Sequence, residues 1–192
     1  MYVLLALSVL GLALVIKKYS EIFRINSLHK KLADKLNKAA NLESMYAASG
    51  EIGQTTPLGV VIDKIKTLQN EEFAVIQESI ETTANLAIHK LEKGLGWIST
   101  ISAVAPLVGF LGTVTGMVRV FINIASHSQE GINITLLAGG IWEALLTTVG
   151  GLIVGIPAII FYNDLVAHAE NTAKFLQEQI DLITIKLHQQ KQ

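Results

Sequence analysis

Glu143 is a carboxylate inside an apolar run, GIWEALLTTVGGLIVGIPAIIFYN, that also carries the hydroxyls of Thr147 and Thr148. A second run, VAPLVGFLGTVTGMVRVF, holds Thr113, Thr115 and one guanidinium, Arg119. In hydrocarbon a charged side chain costs about 3 kcal/mol on insertion scales, so such a group is paired, protonated, or turned to a cavity or ion path. A threonine hydroxyl either returns its hydrogen bond to the preceding helical turn or offers polarity to a passing ion carrier. Residue types of this kind inside membrane helices can handle protons or ions. No nucleophile and base are spaced for catalysis, which argues against an enzyme and against any cofactor. Histidines 29, 89, 127, 168 and 188 have no histidine neighbour three or four residues away, and the chain has no cysteine, so no metal or redox site is expected.

Helix rise sets the depth of these groups. Measured from the outer ends of the runs, at Ile124 and Ile134, Glu143 lies about 13 Å deep, Thr113 about 16 Å and Thr148 about 21 Å, within one central layer. On a helical wheel Thr147 is about 40° from Glu143 and Thr148 about 140° away. The two threonines therefore cannot both share the glutamate's face, and one of them must line a different surface. Arg119, about 8 Å below the boundary, either snorkels to the outer headgroups or partners an acidic group on a neighbouring chain.

The elements that position these groups follow from the apolar pattern. Half of the 192 residues are hydrophobic, 51%, the mean hydropathy is positive and the net charge is −1. That balance fits a membrane protein and leaves no basic surplus for nucleic acid. Residues 98–124 and 135–163 are long enough to span a bilayer as helices, given about 20 residues for a core of about 30 Å. Residues 1–16 are shorter, about 24 Å as a helix. Lys17, Lys18 and Arg24 follow this run where a signal peptide would place basic residues before it, so it reads as a short first span with almost no external tail. Lysine and arginine crowd residues 17–97 and are absent from the loop ASHSQEGINI, 125–134. By the positive-inside rule the N-terminus is then outside, while the segments 17–97 and 164–192 are cytoplasmic.

Within the polar part, Ile22, Ile25, Leu28, Leu32, Leu36 and Ala39 or Ala40 recur at helical spacing, which predicts a helix continuing the first span. GEIGQTTPLGV breaks the pattern, and a new helix is expected near Pro57. Val61, Ile65, Leu68, Phe73, Ile76, Ile80, Leu86 and Leu91 then predict a second helix that runs into the second span, Gly94 and Gly96 weakening the junction without stopping it. These helices are expected to pack on one another and to carry no chemistry. The spans carry small residues in stripes: Ala105, Gly109, Gly112 and Gly116 in one, Gly140, Ala144, Gly151, Gly155 and Ala158 in the other. Such stripes let helix backbones approach in lipid, and their extent implies neighbours from other subunits as well. Pro106 and Pro157 each remove one backbone hydrogen bond and are expected to bend their helices.

The two runs resemble the paired membrane helices of the ExbB/TolQ/MotA family of ion-driven motor subunits, most strongly the ExbB and TolQ branch. The resemblance is dense over residues 95–163, and the three-span topology extends it over the whole chain. It implies an all-α integral membrane protein whose three transmembrane helices are extended by long cytoplasmic helices and which assembles as an oligomeric pore. In the family's pattern this is a homopentamer of the bacterial inner membrane whose second and third spans enclose two copies of a single-span ExbD- or TolR-like partner, itself linked to a TonB- or TolA-like protein. Proton flow then acts through an aspartate of that partner. Thr113 in GTVTG and Thr148 in EALLTT match the family's pore threonines, and Glu143 matches its glutamate position. Thr147 and Thr115 are expected beside the pore, with Gly109, Gly112, Gly116, Gly151 and Gly155 packing the helices. The chain departs from the pattern at VIKKYSEI, where the family has an acidic residue and an arginine, in lacking a periplasmic N-terminal extension, and at Arg119, a position otherwise neutral. The expected function is a proton channel that converts ion flow into work on the outer membrane, for nutrient uptake or envelope maintenance. A sodium-driven motor, or a membrane scaffold in which Glu143 only clips subunits together, are the rival readings.

Overall fold

A computed structural model describes residues 2–38, 44, 46, 56–126 and 134–191. The described residues form five helices: α1, Tyr2–Lys38; α2, Pro57–Thr67; α3, Phe73–Glu92; α4, Leu95–Ser126; and α5, Ile134–Lys191. The all-α expectation holds, and three helices are long and apolar enough to cross a membrane. The loop 127–133 and the positions of Ala39 and Ala40 lie outside the described residues.

The chain divides into two compact units, residues 1–17 with 94–164, and residues 18–93 with 165–192. Helices α1 and α5 each contribute to both.

The second unit is built on branched aliphatic side chains. Leu32 and Leu36 of α1, Leu58, Val61, Ile62 and Ile65 of α2, Ile76, Ile80 and Ala84 of α3, and Leu176, Ile180, Ile183 and Leu187 of α5 form one buried cluster. Each of the larger members contributes about 1.5–3 kcal/mol by leaving water. Helix α2 starts where the sequence placed it. Pro57 supplies a preset φ at the first helical position, and the Thr56 hydroxyl, buried, accepts a 3.2 Å hydrogen bond from the Gly59 amide.

The expected single helix from Leu58 into the second span is interrupted twice. Leu68 caps α2 by donating its amide to the Lys64 and Ile65 carbonyls, and α3 restarts at Phe73 after a polar turn, QNEE. The chain then breaks again at Gly94, whose φ of 96° only glycine adopts without strain. That positive φ separates α3 from α4. Leu86, counted among the apolar face, is 59% exposed, and Leu58, Ile62 and Ala84 take the inward places instead.

The first unit packs by close approach of backbones. Helices α4 and α5 run antiparallel, with Gly109 against Gly151 and the Thr147 carbonyl, Gly112 against Thr147, Gly116 against Ala144, and Val120 against Gly140. A Cβ on Gly151 would stand 2.6 Å from the Ala105 carbonyl oxygen, and one on Gly109 would stand 2.8 Å from that of Thr147. Glycine is required there because backbone fills the space. Pro106 lies within α4 and its ring covers Gly155, where a Cβ would meet the ring carbons at 2.5 and 2.7 Å. The proline is thus a packing surface as well as a missing donor. Helix α1 joins through Gly11 at Ile101 and Leu4 at Gly150. Leu107, Phe110, Val118, Phe121, Leu145, Ile153 and Ile160 remain exposed, an apolar surface suited to lipid and to further membrane helices.

Candidate functional site

The register of α4 against α5 decides which polar groups meet. The contacts Gly109 with Gly151, Gly116 with Ala144 and Val120 with Gly140 set Thr113 level with Thr148. The two hydroxyls are 3.4 Å apart: Thr148 Oγ1 donates to Thr113 Oγ1, which in turn donates to the Phe110 carbonyl at 2.6 Å. Both side chains are part-buried. Depths counted from Ile124 and Ile134 put these residues about 5 Å apart. The helices instead match Val120 with Gly140, which reduces the offset to about 1.5 Å. A hydrogen-bonded pair of hydroxyls thus lies on one side of the helix pair.

Thr147 sits elsewhere. Its hydroxyl donates to the Gly109 carbonyl across the helix pair at 3.1 Å and to the Ala144 carbonyl of its own helix at 2.7 Å. Its methyl and hydroxyl fill the notch that Gly112 leaves. It therefore holds α4 and α5 together, and the wheel's separation of Thr147 from Thr148 corresponds to two different surfaces. Thr115 is exposed and returns its hydroxyl to the Leu111 and Gly112 carbonyls at 2.9 and 3.1 Å.

Glu143 does not join the threonine pair. Relative to the line of α4–α5 contacts, Thr113 lies about 60° to one side on α4 and Arg119 about 60° to the other; on α5, Thr148 lies about 60° to one side and Glu143 about 80° to the other. Because Thr113 and Thr148 share a side, Arg119 and Glu143 share the opposite one, together with Thr115. Both charged side chains are exposed, and among the described residues neither has a hydrogen bond or ion pair. The hairpin therefore has a hydroxyl side and a charged side.

The second unit holds one titratable group that the histidine count passed over. His29 is 2% exposed, stacks on Phe175 with ring centroids 5.8 Å apart, and its Nε2 accepts from the Leu58 amide in the first turn of α2 at 3.4 Å. Burial lowers its pKa to about 4, so the ring is neutral at physiological pH. Its place on the apolar face of α1, seven residues after Ile22 and three before Leu32, is the sequence signal that could have marked it as a buried residue.

Three helices long and apolar enough to cross a membrane, two of them joined by backbone-close packing with a pair of hydroxyls on one side, fit a multi-pass membrane protein. Residues 56–178 match the model of the MotA/TolQ/ExbB proton channel family, and the chain belongs to that family. Family members are channel subunits and not enzymes. Among curated proteins it is similar to the biopolymer transport protein ExbB of Neisseria gonorrhoeae, 34% identical over 123 residues that make up 64% of this chain and 52% of the relative. It is 45% identical over 71 residues to ExbB of Salmonella typhimurium, covering 37% of this chain and 28% of that protein. With ExbB of Pseudomonas putida it shares 32% identity over 136 residues, 67% of this chain and 40% of the relative. The chain thus matches about half the length, or less, of these relatives.

Proposed function

We propose that the chain is the ExbB-like channel subunit of a proton-driven motor in the bacterial cytoplasmic membrane. Residues 1–16, 98–124 and 135–163 cross the bilayer, the N-terminus faces the periplasm, and segments 17–97 and 164–192 lie in the cytoplasm. Copies, five in the family's pattern, surround the single spans of an ExbD- or TolR-like partner. Proton flow through that assembly does work on the outer membrane by way of a TonB- or TolA-like protein.

The observation that carries this reading is the Thr148 to Thr113 hydrogen bond, 3.4 Å long, between two spans that approach closely at Gly109, Gly112, Gly116, Gly140, Gly151 and Gly155. A hydroxyl pair accepts and donates with little reorganisation, which suits a surface against which a partner's carboxyl group exchanges its proton. Glu143 contributes to the electrostatics of the assembly from the other side of the hairpin. Thr148→Val keeps the shape of the side chain and removes its hydroxyl. The expected outcome is loss of energy-dependent uptake or envelope function in cells carrying this variant, with the complex still assembled on native gels. Normal function in that variant would remove the threonine pair from the pore.

A further inference from the structure

The unit formed by residues 18–93 and 165–192 contains a cavity of about 530 Å³ between α1 and α5, the size that takes a small organic molecule. The two helices run parallel there, since Asn26 meets Thr172 and the His29 ring stacks on Phe175 three residues further along both. Phe23, Asn26, Ser27 and Lys30 fall at i, i+3, i+4 and i+7, so one face of α1 supplies them to the wall. Asn171, Thr172 and Phe175 do the same from α5. The wall is chemically one-sided: it holds an ammonium, two primary amides and hydroxyls beside aromatic rings, and among the described residues no carboxylate. Several of its donors are unspent. Lys30 and Asn171 have no ion pair or hydrogen bond among the described residues, and the Asn26 amide nitrogen has none once the Asn26 oxygen has taken the Thr172 hydroxyl at 2.8 Å. His29 also belongs to the wall. Its Nε2 accepts from the Leu58 amide, so the neutral ring carries its proton on Nδ1, and that N–H is buried without an acceptor among the described residues.

We propose that this cavity binds a phosphate-bearing small molecule, with the phosphate held by Lys30 and the Asn26 and Asn171 amides and the organic body laid against the rings of Phe23 and Phe175. Phosphate is the group that matches the donors. Its oxygens accept from an ammonium and from more than one amide N–H at once, and Lys30 meets its negative charge with no acid in the wall to repel it. Phe23 is 80% exposed, and an occupant with an apolar or aromatic body removes that ring from water. An oxygen of the occupant is the acceptor that the His29 N–H lacks. A bound molecule touches α1 and α5 together and so holds the two helices in register. Soluble phosphate esters and the headgroups of anionic lipids share this chemistry, and the probes below separate the two sources. The site belongs to the amphipathic unit alone and does not depend on proton flow.

Native mass spectrometry of the purified full chain reads occupancy directly, with adenosine monophosphate, adenosine, phosphatidylglycerol and phosphatidylcholine as probes. The expected result is that adenosine monophosphate binds at least about tenfold more tightly than adenosine, or phosphatidylglycerol at least about tenfold more tightly than phosphatidylcholine. The first outcome assigns the cavity to a soluble ester and the second to a lipid headgroup. Lys30→Gln should weaken the preferred phosphate about tenfold. Lys31→Gln removes the same charge from a position outside the wall and should leave binding within about twofold of the parent. Both lysines are exposed, so neither change threatens the fold. The proposal is overturned if neither phosphate is preferred over its control, if Lys30→Gln binds as the parent does, or if Lys31→Gln loses as much as Lys30→Gln. None of these readouts involves proton flux, so a chain that conducts without retaining either phosphate would sink this site and leave the channel standing.

Discussion

The two units of the chain reach stability by opposite means. The amphipathic unit, residues 18–93 and 165–192, is a water-driven core of leucine, isoleucine and valine, where stability comes from apolar area removed from solvent. The apolar unit, residues 1–17 and 94–164, has no such drive between helices in lipid and relies on glycine, alanine and threonine, where stability comes from close backbone contact. One unit is weakened by removing atoms and the other by adding them. This difference also bears on where polar groups sit. A small-residue interface leaves room for hydroxyls such as Thr113 and Thr148 beside it, whereas beside the aliphatic core the buried His29 is neutral and accepts the Leu58 amide through Nε2.

The largest effect is expected from Ile62→Ala, which empties a fully buried site of the aliphatic cluster and should cost about 2–5 kcal/mol, read as a lowered urea midpoint in detergent. Gly151→Ala should cost about 1–3 kcal/mol by forcing a methyl against the Ala105 carbonyl, read as a lowered melting temperature of the purified complex. The comparison breaks if Gly151→Ala is neutral. Gly96→Ala is the matched control, since nothing lies within 4 Å of a Cβ there.

A third test uses pH and concerns the amphipathic unit alone. The His29 pKa falls from 6.5 to about 4 on folding, so the unfolded chain binds the extra proton first. Stability from this group is complete above about pH 6.5 and declines as pH falls toward 4, by about 1.4 kcal/mol per pH unit. Hydrogen exchange at the start of α2, where Leu58 donates to His29, should accelerate in that window, and His29→Gln should flatten the dependence. The smallest effect is expected from Thr147→Val, which removes the hydrogen bond to the Gly109 carbonyl and should cost about 0.6 kcal/mol, measured as a shift in melting temperature.

Local features were legible in the sequence. The helix start at Pro57 follows from Thr56 and the fixed proline φ, the continuation of α1 past Lys17 from unbroken apolar spacing, and the small-residue stripes from residue type alone. The interruptions of α2, α3 and α4 were not legible. QNEE contains neither glycine nor proline, and Gly94 shows its positive φ only once the chain has turned. In the site, a single wheel separated Thr147 from Thr148 but could not show which of them faces α4. That depends on the register of two helices far apart in sequence, which glycine contacts decide. The same register places Glu143 and Arg119 together, away from the threonines. The wheel of α5 alone left that arrangement open.

The central claim is that the hydroxyl side of the hairpin, and not its charged side, faces the ion path. Thr148→Val and Thr115→Val remove the same chemistry from opposite sides of the hairpin, and both complexes should assemble. Proton flux into vesicles reconstituted with the chain and its single-span partner tests the claim most directly. The account predicts that Thr148→Val lowers the flux at least about tenfold while Thr115→Val leaves it within about twofold of the parent. Equal flux in the two variants, or a loss confined to Thr115→Val, would contradict it.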